Sequence, residues 1–163
     1  MKRRRIFRPA LWQILLVAGI LAADRVTKDL APGLPAEGMV LIPGIFGLKY
    51  TENYGIAFSL FSGKPFLLGL LSLAVITAVM VFVRKKEFAV LPLTALLMML
   101  AGAAGNMADR FFTGFVPDMA EFLFVNFPIF NVADAALTLG CAMMILSLLF
   151  RKQDWETDDG KKT

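Results

Sequence analysis

The chain has 163 residues, of which 58% are hydrophobic and 18% are charged, and its mean hydropathy is +0.68. These values predict an integral membrane protein and exclude an ordinary soluble enzyme. The net charge of +4 comes from basic residues that flank apolar segments, and no basic-aromatic motif indicates a nucleic-acid partner.

Four apolar segments, residues 9–23, 65–83, 88–108 and 128–150, are each bounded by charge or by proline. A hydrocarbon core of about 30 Å requires about 20 apolar residues per helix. The first segment is therefore long enough only if its helix continues through Lys28. We predict four transmembrane helices, at about 9–28, 65–83, 88–108 and 128–150, in one membrane domain that covers residues 1–163.

The first segment has a second interpretation. Its basic start, short apolar run and small residues Ala22 and Ala23 also fit a cleaved signal peptide. We favour a retained helix, because removal would leave three spans and place the next loop and the basic stretch at Arg84 on inconsistent sides of the membrane.

Basic residues predict the orientation of the chain. They precede the first span at 2–8, join the second and third at 84–86, and follow the fourth at 151 and 152. Because such residues concentrate on the cytoplasmic side, both termini are expected to be cytoplasmic. Residues 151–163 are predicted to be a disordered tail.

Two segments, at about 24–64 and 109–127, then lie on the extracytoplasmic side of the membrane. In the first, glycines and prolines punctuate apolar and aromatic residues, which predicts a small extracytoplasmic β-sheet at about 38–62. The second is predicted to be an outer loop. The fold class is thus a mainly α membrane protein with a small sheet.

The possible chemistry is limited by the absence of histidine and by a single cysteine, Cys141. Ser-His-Asp and Cys-His sites are impossible, and a zinc site is nearly excluded. We interpret Cys141, in the middle of the fourth span, as a small packing residue.

Polar residues at membrane depth are costly and often functional. Asp134 lies six residues into the predicted fourth span, Asn131 lies on the same helical face, and Thr138 continues that polar stripe. At the end of the third span, Asn106 and Asp109 have the same spacing, and we interpret Asp109 with the adjacent Arg110 as a structural ion pair. Gly102 and Gly105 allow close helix packing there.

Asp118, in the predicted outer loop, has no adjacent cation and is placed to fold back towards Asp134. Two carboxyl groups in a partly dry site cannot easily both ionise, so one activates water while the other polarises the carbonyl, as in aspartic proteases. In the alternative interpretation, Asp118 is a solvated loop residue and Asp134 binds a neighbouring helix.

Four sequence blocks in this order resemble those of the bacterial lipoprotein signal peptidases, or signal peptidase II. The blocks are residues 24–28, 53–58, 105–118 and 130–135, with Gly140 following the last. The likeness extends along nearly the whole chain. One departure is Met119, where the family often has an aromatic residue, and this puts the local loop shape in doubt.

The resemblance implies an aspartic endopeptidase that cleaves diacylglyceryl-modified prolipoproteins just before the lipidated cysteine. It assigns the catalytic roles to Asp118 and Asp134. Residues expected to bind substrate or support the site are Asp24, Lys28, Asn53, Gly55, Asn106, Asp109, Arg110 and Asn131. Expected partners are prolipoproteins and membrane lipids, and we expect a monomer without metal or cofactor in the bacterial inner membrane, with its active site at the outer face.

Two other functional classes also place polar residues inside a membrane. A proton-coupled transporter would use Asp134 as a relay, and a scaffold would use its polar residues only to join helices. Neither explains the blocks in the outer segments. A further hypothesis is that residues 53–58 cover the site and exclude water.

Overall fold

The computed structural model describes residues 9–55, 63–84, 88–151 and 154. In these ranges the chain forms helices α1 (Leu11–Leu30), α2 (Pro65–Val83), α3 (Val90–Phe112) and α4 (Val132–Phe150). It also forms strands β1 (Met39–Ile42), β2 (Phe46–Asn53) and β3 (Val116–Phe122). The mainly helical fold with a small sheet is confirmed. Outside the described residues lie the basic residues 2–8, 85, 86 and 152, the end of the hypothetical cover at 56–58, and most of the predicted tail, at 152, 153 and 155–163.

The helices carry the apolar surface that a membrane protein requires. Among the described helices, α2, α3 and α4 are long and apolar enough to cross a membrane. α1 has 20 residues, but its C-terminal part carries Asp24, Arg25, Lys28 and Asp29. Its other end exposes large side chains, including Leu11 at 70%, which suits contact with lipid.

Two helices differ in extent from the predicted spans at about 88–108 and 128–150. α3 continues beyond residue 108 to Phe112, so that Asp109 is part of the helix. α4 begins at Val132 and not at residue 128, because Phe130 pairs through its backbone with Ala120 and Asn131 caps the helix. Phe130 therefore belongs to the sheet and not to the membrane span.

The sheet is antiparallel, in the order β1, β2, β3. Strands β1 and β2 fall within the predicted sheet at 38–62, but β3 corrects the prediction of an outer loop. Its residues Pro117 and Asp118 are disfavoured in strands, yet β2 pairs with β3 in a register that places Asp118 opposite Thr51 and Val116 opposite Asn53.

Helix α3 is the centre of the bundle and packs against α1, α2 and α4. Glycines make these contacts close, as expected. A Cβ atom at Gly102 would lie 2.2 Å from the carbonyl oxygen of Ala133, and one at Gly105 would lie 2.8 Å from Oδ2 of Asp24. The small residues therefore bring α1 and α4 against the face of α3 that carries Asn106.

Candidate active site

The polar residues predicted to form the site meet where β2, β3, α1, α3 and α4 converge. Asp118 is 1% exposed on β3, and Asn131 is 1% exposed at the start of α4. Asp134 is half-buried in the first turn of α4. Hydrogen bonds join these residues to Asn53 and Asn106, so residues far apart in sequence form one connected group.

Both oxygens of the Asp118 carboxylate accept a hydrogen bond from an asparagine. Nδ2 of Asn131 donates to Oδ1 over 2.6 Å, and Nδ2 of Asn53 donates to Oδ2 over 2.9 Å. Asn53 is the last residue of β2. The pairing of β2 with β3 therefore places this donor beside the carboxylate.

Asp134 lies nearer the N-terminus of α4 than its position in the predicted span suggested. It is the third residue of the helix and forms a reciprocal cap with Asn131. The Asp134 N–H donates to Asn131 Oδ1 over 2.8 Å, and the Asn131 N–H donates to Asp134 Oδ2 over 3.2 Å. This cap fixes the carboxylate rotamer, and the positive end of the helix dipole favours its negative charge. Nδ2 of Asn106 donates to the other oxygen over 2.7 Å.

The two asparagine amides have only one consistent orientation. Oδ1 of Asn106 accepts from the Lys28 ammonium over 2.9 Å and from Asn131 Nδ2 over 3.1 Å. Oδ1 of Asn131 accepts from the Asp134 N–H. Because ammonium and backbone N–H groups can only donate, each amide must direct its NH₂ group at a carboxylate. The network therefore presents donors to both aspartates.

Lys28 supports this network through its hydrogen bond to Asn106. Its side chain is fully buried, and its three donor positions are matched by Asp24 Oδ2 at 2.7 Å, Asp109 Oδ2 at 2.6 Å and Asn106 Oδ1 at 2.9 Å. The other oxygen of Asp24 accepts from the Ala133 N–H over 2.9 Å. This ion cluster ties α1, α3 and the start of α4 together.

The predicted pairing of Asp109 with Arg110 was wrong. Asp109 instead forms ion pairs with Lys28 and, at 3.3 Å, with Arg25. Adjacent residues on a helix lie on different faces, so Arg110 extends away from its neighbour. Its Nη2 donates to the Gly55 carbonyl over 2.8 Å, while its buried Nε has no partner within the described residues.

The surroundings of Asp118 favour its protonated form. Burial, followed by the negative charge of Asp134, raises the pKa of Asp118 from 3.8 to about 6, against the opposing effect of hydrogen bonds from Asn53 and Asn131. The raised value means that the folded state holds this proton more tightly than the unfolded chain. Its contribution to stability is therefore largest at low pH and declines as the pH rises through about 6.

A cavity of about 640 Å³ opens beside the carboxylate of Asp134, within the size range of ligand sites. Its walls include polar residues Asn53, Ser72, Asn106, Arg110 and Thr138 and apolar residues Val116, Phe122, Phe127, Ile129, Phe130, Leu137 and Leu139. Asp134 thus faces a space for a mainly apolar ligand. Within the described ranges, no three His, Cys, Asp or Glu side chains form a group that could hold a metal ion.

Some features of the site were missed by sequence reasoning. The bond from the Ala133 backbone to Asp24 and the ion pair from Arg25 to Asp109 cross between helices, and no sequence spacing indicates such contacts. Met119, where the sequence departs from the family pattern, is 6% exposed and lies in β3. Its N–H donates to the Phe130 carbonyl, and the register of β2 and β3 shifts between the pairs on either side of it, so the departure falls at an irregularity of the sheet.

Comparison with known proteins gives consistent matches. The model of the family described as signal peptidase (SPase) II matches residues 16–150. A protein named lipoprotein signal peptidase from Chlorobium luteolum is 36% identical over 146 residues, which cover 81% of this chain and 87% of that protein. Another of that name from Brevibacillus brevis is 34% identical over 155 residues, with 93% and 99% covered.

A similar solved structure is described as a bacterial membrane enzyme studied by the in meso method. It is 28% identical in sequence, superposes with a TM-score of 0.80, and the match covers 93% of this chain and 94% of that one. The likeness therefore extends over nearly all of both chains.

Proposed function

Because this chain belongs to the signal peptidase II family, and is thus a multi-pass inner-membrane peptidase that removes signal peptides from prolipoproteins, we propose that Asp118 and Asp134 are its catalytic pair. The observation that carries the proposal is that Asn131 contacts both carboxylates. Membership of a peptidase family argues against the transporter and the scaffold. α1 also argues against a leader cleaved after Ala23, since such a cut would sever the helix that supplies Asp24 and Lys28.

The two carboxyl groups share the acid and base roles. Asp118, whose pKa is raised to about 6, holds a proton more readily than an ordinary aspartate, and Asp134 lies against the cavity. With one proton on the pair, the ionised member draws a proton from water while the protonated member donates a hydrogen bond to the scissile carbonyl. The water oxygen bonds to the carbonyl carbon and forms a tetrahedral centre. Its collapse breaks the C–N bond, and the carboxyl group that took the proton from water passes that proton to the leaving amine.

The surrounding residues position this pair. The neutral amides of Asn53, Asn106 and Asn131 donate hydrogen bonds to the carboxylates and add no charge to the site. Lys28 orients Asn106 and is itself neutralised by buried carboxylates. Arg110 donates to the carbonyl of Gly55, two residues beyond the end of β2, and so ties this segment to α3.

The substrate proposed is a precursor with a diacylglyceryl cysteine, cut just before that residue. The largely apolar cavity suits a signal segment that enters from lipid, and the membrane anchor of the substrate supplies much of its binding. Basic residues at 2–8, 84–86 and 151–152 support cytoplasmic termini and an active site at the outer face. We propose that the enzyme acts as a monomer without metal or cofactor, with membrane lipids but no nucleic acid as partners.

The test is cleavage of a diacylglyceryl-modified precursor by the purified protein in detergent, with a chelator present. Asp118→Asn and Asp134→Asn should each abolish turnover, while the wild type remains active. Asp29→Asn is the matched control, because the side chain of Asp29 is 60% exposed and, among the described residues, its ion pair is with Arg25 alone. This variant should retain full activity. Full activity in either of the first two variants would show that the catalytic assignment is wrong.

A further inference from the structure

The cavity extends along α4 beyond the carboxylate of Asp134. Thr138 lies on its wall, four residues further along α4 and about 6 Å from Asp134 along the helix axis at about 1.5 Å per residue. Leu137 and Leu139 contribute apolar surface nearby. Thr138 therefore places a hydroxyl group in an otherwise apolar part of the groove.

This hydroxyl has no partner in the part of the chain that the structure describes. Threonines in helices commonly donate to the backbone carbonyl one turn earlier. Thr27, Thr94 and Thr113 each donate in this way to residues 23, 90 and 109. Among the described residues, neither Thr138 nor Thr77 on α2 makes such a bond. Thr138 lines the cavity, whereas Thr77 is absent from its wall.

A substrate cleaved in this cavity needs a polar partner at this depth. A peptide bond inside a helix has its carbonyl committed to an N–H group one turn later, so the signal helix must unwind around the scissile bond before water can attack. Unwinding leaves backbone N–H and C=O groups without partners in apolar surroundings, which costs several kcal/mol per group. A hydroxyl on the cavity wall can replace one of the lost hydrogen bonds.

We propose that Thr138 binds a backbone amide group of the unwound signal segment, on the membrane side of the scissile bond. The inference rests on the proposed function, since it takes Asp134 as the reacting end of the groove. An extended peptide advances about 3.3 Å per residue, so the offset of about 6 Å corresponds to about two residues. Thr138 is thus a substrate-positioning residue. It binds the backbone, and not a side chain, of the substrate at two or three residues before the lipidated cysteine.

The experiment compares Thr138→Val, which keeps the shape and removes the hydroxyl, with Thr138→Ser, which restores it. Thr77→Val is the matched control. Thr138→Val should raise KM by about 5- to 10-fold, as expected for loss of one neutral hydrogen bond, with kcat little changed. Thr138→Ser and Thr77→Val should behave as the wild type. Because Thr138 is exposed on α4, none of these changes should affect folding.

A second measurement locates the contact on the substrate. Synthetic lipidated precursors carry a backbone ester in place of the amide at the second or third residue before the cysteine, which removes the N–H donor and weakens the carbonyl acceptor. One of these esters should raise KM for the wild type and leave KM for Thr138→Val unchanged. Equal ester effects in both proteins, an unchanged KM in Thr138→Val, or failure of Thr138→Ser to restore binding would each overturn the inference.

These outcomes are distinct from failure of the proposed function. If the wild type cleaves and the variants of Asp118 and Asp134 are inactive, a normal Thr138→Val refutes only the role of Thr138. If the wild type does not cleave the lipidated precursor, the proposed function fails, and the inference that depends on it fails as well.

Discussion

Replacing Gly102 by alanine tests whether the spacing of α3 and α4 sets the geometry of the site. The added Cβ would lie 2.2 Å from the Ala133 carbonyl oxygen, whereas such contacts essentially never fall below 3.0 Å, so the helices must separate by about 0.8 Å. Asn106 lies one turn further along the same face of α3, and its bond to Asp134 is 2.7 Å long. The same displacement stretches that bond to about 3.5 Å, at the limit of a hydrogen bond.

A misplacement of about 1 Å in a catalytic group can reduce a rate by about 100-fold, which corresponds to about 2.7 kcal/mol of activation free energy. We therefore expect Gly102→Ala to lower kcat by about this factor and to alter KM much less. The assay is steady-state cleavage of the lipidated precursor, with elution profile and thermal unfolding as checks on folding.

The matched control is Gly19→Ala. Gly19 lies in α1 with nothing within 4 Å of the added Cβ, so the change should leave kcat unaltered and stabilise the helix by about 0.5–1 kcal/mol. A folded Gly102→Ala protein with the same kcat as Gly19→Ala would refute the reasoning, because the site would then tolerate the displacement.

Three further predictions concern other parts of the molecule. The pKa of Asp118 is raised to about 6, so kcat/KM should decline above about pH 6 as the pair of carboxyl groups loses its shared proton. Asn53→Ala removes a hydrogen bond that lowers this pKa, and the decline should therefore move to higher pH. An unchanged pH profile in this variant would contradict the coupling between Asn53 and Asp118. Lys28→Met leaves two buried carboxylates without their main cation and should lower the free energy of unfolding by about 3–5 kcal/mol. Arg25→Met removes a half-exposed ion pair and should lower it by no more than about 1 kcal/mol. Thermal unfolding in detergent compares the two variants. Cys141→Ala should cleave as the wild type does in the precursor assay, and a large loss would show that this residue does more than pack.

Sequence reasoning located the polar residues better than it located the ends of the elements around them. The spacing of Asn131 and Asp134 predicted that their side chains lie close together, and they do, although Asn131 caps α4 and is not part of the helix. The start of α4 could not be placed, because Phe130 and its apolar neighbours fit a membrane span as well as a strand pairing. The capping role of Asn131 depends on that boundary and was missed with it.

Contacts between distant segments were beyond the reach of local patterns. Asp118 was expected in an outer loop because it lies between the third and fourth predicted spans. Proline and aspartate are also disfavoured in strands, and pairing with β2 overrides that preference. The partners of Asp109 were likewise misassigned to the neighbouring Arg110. A buried lysine satisfied by two carboxylates and an amide depends on how α1 packs against α3, which no spacing in one sequence specifies.

The charged end of α1 has a consequence for biogenesis. Lys28 pairs with Asp24, and Arg25 pairs with Asp29, in each case one turn apart on the same helix. Both pairs can form within the nascent segment before α3 and its Asp109 have been synthesised. The segment can therefore reach the translocon with its charges already matched, which lowers the cost of bringing a lysine towards the lipid. The later arrival of α3 then converts a local ion pair into the interhelical cluster that supports the site.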